Sequence, residues 1–183
     1  MVNDTFFVAE NNKPVIQLSG SNPDCYGGQG GTLIIDVSST NGPFDVFVNG
    51  NKIDDTILSN LYAGIYLVEV EDAKGCKTSA QYEITEPLLL TGMVTNVVQP
   101  DQNVVTGKAT VTAMGGTAPY TFKWDNGEPG ASASNLLPGL HQVSITDDHG
   151  CATVLDVVIV KSRIYAGWQS TDNICFGDCN GEI

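Results

Sequence analysis

Short runs along this chain place apolar residues at every second position, a pattern that predicts strands rather than helices. Tyr66, Val68 and Val70 fall on one face of such a run, as do Phe44, Val46 and Val48, and again Leu33, Ile35 and Val37. No segment carries a convincing period of 3.6. Turn signals separate the runs: Asn41-Gly42-Pro43, Asn49-Gly50, Asn126-Gly127, Pro138-Gly139 and His149-Gly150. Short strands spaced roughly ten residues apart and joined by such turns predict an all-β chain of small antiparallel, Ig-like β-sandwiches in a row.

The pattern also repeats. Gly64 and Gly139, Asp72 and Asp147, and Cys76 and Cys151 are each 75 positions apart. The faces correspond: Tyr66, Val68 and Val70 to His141, Val143 and Ile145; Phe44, Val46 and Val48 to Tyr120, Phe122 and Trp124. Leu33, Ile35 and Val37 correspond to Ala109, Val111 and Ala113. Inward positions keep their apolar character between the copies nearly every time, His141 for Tyr66 being an exception, while outward ones change freely, which is the mark of a tandem structural unit. Cys25-Tyr26-Gly27 returns 150 positions later as Cys175-Phe176-Gly177. Thr5 to Ala9, followed by Pro14, resembles Gln81 to Ile84, followed by Pro87. The expected division is therefore residues 1–13 as the end strand of a preceding repeat, 14–87 and 88–162 as complete repeats, and 163–183 as the start of a third.

A unit of this size buries only a modest core, so a covalent supplement is expected. Cys25 precedes the first core strand and Cys76 follows a hairpin. A Cys25–Cys76 disulfide would close a loop of about 50 residues, worth roughly 4 kcal/mol in the chain-entropy model. The second unit has Asp101 near the place of Cys25, which leaves Cys151 without that partner. Cys151 is either free and buried or bridged to Cys175 or Cys179 in the following segment; spacing does not choose. The Cys25–Cys76 pairing itself argues for an oxidising compartment.

Charge narrows the partners. The chain has 8 Lys and Arg against 21 Asp and Glu, a net charge of −13, which weighs against nucleic acid or an anionic membrane. No apolar run approaches membrane-spanning length. Met1-Val2-Asn3-Asp4 opens no signal peptide, which in a piece of a longer chain says nothing about export.

Candidate chemistry is sparse. No nucleophile elbow, phosphate loop, metalloprotease motif or zinc spacing is present, and the chain is read as no enzyme. His141 takes the place of Tyr66 on an inward face and reads as a packed histidine. His149 stands in a turn where the other unit has Lys74. Acidic turns at Glu71-Asp72, Asp147-Asp148 and Asp54-Asp55 raise structural calcium. No loop there supplies the six to eight oxygens calcium takes, so aspartates bonding their own turns are the preferred reading. No cofactor is expected. Trp124 is inward by alternation and reads as core. Trp168 and Tyr165 lie between the second and third units. Packing between repeats is the preferred reading, and stacking on a glycan ring the alternative.

Several stretches together resemble the SprB-type repeats of gliding-motility adhesins and related large cell-surface proteins of the Bacteroidetes. They are Gly115-Gly116-Thr117-Ala118-Pro119-Tyr120-Thr121-Phe122-Lys123-Trp124, the Leu-x-x-Gly-x-Tyr run at 61–66, the Asp-x-x-Gly-Cys runs at 72–76 and 147–151, and Ile84-Thr85-Glu86-Pro87. Cys175-Phe176-Gly177-Asp178-Cys179-Asn180-Gly181 looks like the start of such a repeat. The resemblance implies a non-catalytic segment of an exported cell-surface adhesin, secreted by a type IX system, acting as stalk or adhesive array in attachment or gliding. Its implied partners are adjacent repeats and surface polysaccharide or another cell-surface ligand. It also implies pairing of the second cysteine of the repeat start with one in the Leu-x-x-Gly run, places held here by Gln29 and Tyr62 in the first unit. The competing expectation is a glycan-binding accessory module of a secreted carbohydrate-active enzyme.

Overall fold

The structure is a computed structural model and describes residues 13–101 and 104–161. The end strand expected in 1–13 and the repeat start expected in 163–183 lie, but for Lys13, outside these residues. Every regular element described is a strand, and every pairing is antiparallel.

Strands β1 (Val15–Ser21), β2 (Gly31–Ser38) and β5 (Ile57–Leu61) form one sheet in the order β1-β2-β5. Strands β3 (Phe44–Val48), β4 (Asn51–Ile53), β6 (Gly64–Asp72) and β7 (Lys77–Ile84) form a second in the order β4-β3-β6-β7. The alternating faces of the two sheets meet: Leu33 and Ile35 of β2 are buried with Val46 and Val48 of β3 and Val68 and Val70 of β6. Burial at ~25 cal/mol per Å² of apolar surface drives this closure, and the period of two delivers it from each strand.

The remaining strands build the same arrangement. Strands β8 (Thr91–Val98), β9 (Gly107–Met114) and β11 (Ser132–Leu136) form one sheet; β10 (Thr121–Trp124), β12 (Gly139–Thr146) and β13 (Ala152–Ile159) form the other. Their shared core holds Ala109, Val111, Trp124, Leu136, Val143, Ile145, Val157 and Ile159. The registers coincide as well: Gly64 pairs with Ile84 in β6–β7, and Gly139 with Ile159 in β12–β13. Both copies shift register where β5 or β11 meets its neighbour. At each shift an asparagine, Asn60 or Asn135, holds a positive φ of 56° or 59°, a conformation asparagine tolerates better than most residues.

Inward alternation is thus realised residue by residue, with one loss at a strand end: Phe44 is 38% exposed. Trp124 fills the place of Val48. It is 1% exposed, and its indole N–H donates to the Gly130 carbonyl at 3.0 Å, satisfying the polar atom that its burial brings along. The copies differ opposite this strand. The first has β4, whereas the second has an isolated bridge between Lys123 and Pro129. There the Glu128 carboxylate holds the chain by accepting from the Ser134 N–H at 2.9 Å and the Asn126 side chain at 3.0 Å.

The Cys25–Cys76 pairing expected from the sequence is corrected. Cys25 is bonded to Cys151, with Cα atoms 5.7 Å apart, and Cys76 is a free thiol. The reason is strand direction. The loop after β1 is tied to Thr85, at the far end of β7: Asn22 Nδ2 donates to Thr85 Oγ1 at 2.9 Å, and the Thr85 N–H returns a bond to Asn22 Oδ1 at 3.0 Å. Cys76 lies just before the other end of β7. Eight extended residues separate the two ends by about 26 Å at ~3.3 Å per residue, whereas bonded cysteines need Cα atoms within about 7 Å. The expected bridge from Cys151 to Cys175 or Cys179 is corrected by the same bond. Cys151 does join one sandwich to another, but toward the preceding one.

Candidate functional site: the junction of the two sandwiches

Each sandwich carries a hairpin turn built around one buried carboxylate. Asp147, 5% exposed, follows β12. Its Oδ1 accepts from the backbone N–H groups of His149 at 3.0 Å and Cys151 at 2.9 Å, and its Oδ2 accepts from the Thr117 N–H at 2.9 Å. The Thr117 N–H is the chief cause that holds this carboxyl below its ordinary value; burial opposes it, and the Cys151 and His149 N–H groups add to it. In the first sandwich Asp72 Oδ1 accepts from Lys74 N–H and Cys76 N–H, both at 2.9 Å, and Oδ2 accepts from Asn41 Nδ2 at 3.3 Å. Burial pushes the Asp72 carboxyl up, but the bonds from Cys76, Lys74 and Asn41 outweigh it and leave the group lowered. Each aspartate therefore gives one oxygen to its own turn and the other to the neighbouring loop at Thr117 or Asn41. Among the described residues, no group of three or more His, Cys, Asp or Glu side chains is placed to hold a metal ion. Glu71 is engaged with Lys77 at 3.1 Å.

The second turn meets the loop after β1. In that loop Gly27, at φ 69°, closes a tight turn in which the Gly28 N–H donates to the Cys25 carbonyl at 3.0 Å. That position favours glycine because a positive φ carries no Cβ penalty there. The Gly27 N–H donates to the Glu86 carboxylate, so the loop rests on the connector between the sandwiches. Against this support come Cys151, through the disulfide, and His149, whose Nδ1 lies 3.3 Å from the Asp24 carbonyl. His149 Nδ1 is also 3.9 Å from Asp24 Oδ1. A shallow cleft between Pro23, Glu86, Pro87, Thr117 and His149 marks the seam. His149, read from the sequence as a tolerant turn residue, is thus part of this contact. The signal available was its position two residues before Cys151.

His141 was read as a packed inward histidine, and the structure half-buries it beside Asp125. Its Nδ1 is 3.0 Å from Asp125 Oδ1, and its Nε2 is 2.7 Å from the Leu137 carbonyl. In the first sandwich Tyr66 Oη donates to the Tyr62 carbonyl at 3.0 Å, the same backward reach of four residues. The two residues therefore do one structural job, bracing the turn before β6 or β12. Tyr165, Trp168, Cys175 and Cys179 lie outside the described residues. Among the described residues no helix is long and apolar enough to cross a membrane, and the disulfide fits an oxidising environment.

Comparison with solved structures finds Ig-like and surface-layer assemblies. The chain is similar to the first two Ig domains of DIP-gamma (13% identity, covering 84% of this chain and 100% of that chain, TM-score 0.46). It is similar to the C-terminal 282-residue fragment of intimin in complex with the translocated intimin receptor's intimin-binding domain (14% identity, 80% of this chain and 64% of that chain, TM-score 0.41). It is also similar to domains 4 and 5 of the S-layer protein SbsC (12% identity, 81% of this chain and 100% of that chain, TM-score 0.35). No curated protein sequence matches the chain. Residues 103–129, which span β9, Gly115 to Pro119 and β10, match the SprB repeat family model.

Proposed function

We propose that this chain is a non-catalytic segment of an exported cell-surface adhesin, in which residues 14–87 and 88–162 are successive units of a stalk or adhesive array. The observation that carries the reading is the junction. A disulfide and a hydrogen-bonded loop join the end of one sandwich to the turn of the next, an arrangement suited to transmitting tension along a row of small domains. The SprB match over 103–129 supports the same class, as does the use of buried polar groups for bracing turns rather than for a convergent site. Surface polysaccharide or another cell-surface ligand, with secretion by a type IX system, completes the proposal.

The test is made on intact cells of the source organism. Antibodies raised against the chain should label them without permeabilisation and should reduce attachment to a surface. Labelling only after permeabilisation overturns the reading. So does hydrolytic activity of the purified chain toward a glycan or peptide panel.

A further inference from the structure

The junction gives every sandwich two unlike ends. In the first sandwich the loop end carries Cys25, beside Thr85 and Glu86, and the turn end carries Cys76. The second sandwich presents its turn end, with Cys151, to the loop end of the first. The two turn ends are built alike. Asp72 N–H donates to the Cys76 carbonyl at 3.0 Å and Asp147 N–H to the Cys151 carbonyl at 3.0 Å. Gly75 N–H donates back to Asp72 at 2.8 Å and Gly150 N–H to Asp147 at 3.1 Å. Ala73 N–H reaches the Asn41 carbonyl at 3.2 Å where Asp148 N–H reaches that of Thr117 at 2.9 Å. Cys76 thus stands in the setting in which Cys151 bonds a loop cysteine, yet its thiol is free and partly exposed.

We propose that the turn end around Cys76 is a docking site for the loop end of another unit, and that Cys76 forms a disulfide there with the cysteine equivalent to Cys25. In a second copy of this chain that cysteine is Cys175. It is followed by Phe176 and Gly177, as Cys25 is by Tyr26 and Gly27. Charge favours the match: residues 172–182 contain Asp172, Asp178 and Glu182 and no Lys or Arg, whereas Lys74 stands two residues before Cys76 and the nearby Lys77 is paired with Glu71. Lys74 occupies the place from which His149 contacts the Asp24 carbonyl. Because loop end and turn end are different surfaces, the contact is heterologous and propagates as an open head-to-tail row. The covalent step is thiol–disulfide exchange. The Cys76 thiolate attacks Cys175 held as a mixed disulfide with glutathione, the Cys76–Cys175 bond forms, and glutathione leaves as the thiolate and takes up a proton.

The inference rests on the likeness of the two turn ends and stands or falls independently of adhesion. The 183-residue chain carrying Cys179→Ser, which removes a competing thiol, is equilibrated in a glutathione redox buffer at high protein concentration. Disulfides are then mapped by peptide mass spectrometry after size separation. The expected result is covalent dimers and longer rows in which Cys76–Cys175 links between copies outnumber Cys76–Cys76 and Cys175–Cys175 links together by at least about tenfold; random pairing would make them equal. Lys74→Glu should reduce that excess while leaving the Cys25–Cys151 bond intact. Statistical pairing, closure of Cys76–Cys175 within one copy, or a Cys76 that remains fully alkylatable overturns the proposal.

Discussion

His141 is held between two acceptors, with the Asp125 carboxylate 3.0 Å from Nδ1 and the Leu137 carbonyl 2.7 Å from Nε2. Only an imidazolium donates at both nitrogens. Burial alone would lower its pKa, but the Leu137 carbonyl and Asp125 outweigh burial, and the pKa is raised above 6.5. A raised folded-state pKa means a contribution to stability that is complete below the unfolded value and is lost as pH rises through the folded one. The second sandwich should therefore melt lower at about pH 9 than at about pH 6. His141→Tyr, which installs the residue of the first sandwich, should flatten that alkaline decline. Thermal melts across the range check this, and an unchanged decline in the variant would refute it.

Acid acts through different groups. The carboxyls of Asp72, Asp147, Asp125 and Glu128 all lie below their ordinary values. Their contributions are present above the unfolded carboxylate range and are lost as pH falls through the folded values. Asp147→Ala strips acceptors from three backbone N–H groups, and buried donors without partners are costly. It should lower the melting midpoint by several degrees and speed amide exchange at His149 and Cys151. Normal protection of those two amides in the variant would show that the carboxylate does not hold the turn.

The Cys25–Cys151 bond spans 126 residues. In the chain-entropy model such a crosslink is worth about 5 kcal/mol, less any strain. Cys25→Ser with Cys151→Ser should lower stability toward that limit and widen the range of angles between the sandwiches seen by small-angle scattering. Cys76→Ser should do neither. An equal loss in the Cys76 variant would restore the pairing expected from the sequence.

Gly107 lies where the first strands of the second sandwich close over its last. A Cβ there would sit 2.8 Å from the Val98 carbonyl oxygen and 2.9 Å from Ile159 Cγ2. Gly107→Ala should cost about 1–3 kcal/mol, the usual range for overpacking, measured by urea unfolding. Gly31, equally tight against the Leu61 carbonyl oxygen and Ile84, should behave alike, and a neutral result at both sites would count against this packing.

Much of this was legible in the chain because the information is local. The period of two assigns Val68, Val70, Val143 and Ile145 to the inside whatever surrounds them, and comparing the copies removes chance matches. The aspartate turns were legible in part for the same reason: Asp72 and Asp147 bond groups two and four residues ahead, whereas the bonds from Asn41 and Thr117 come from distant loops. The bracing role of His141 was half visible. Its equivalence to Tyr66 stood in the alignment, but Asp125 joins it only across the β10–β12 pairing.

By itself, then, the sequence determined the strands, their inward faces, the two like sandwiches and the turns, since each depends on residues near in the chain. Tertiary structure alone decided which cysteines meet. Cys25 and Cys76 look like partners in sequence, but the length of β7 holds them at opposite ends of one sandwich. Cys151 is far along the chain, yet the Glu86-Pro87 connector brings its turn end against the loop end before it. A disulfide reads distance in space, and that distance is set by strand direction and by the junction.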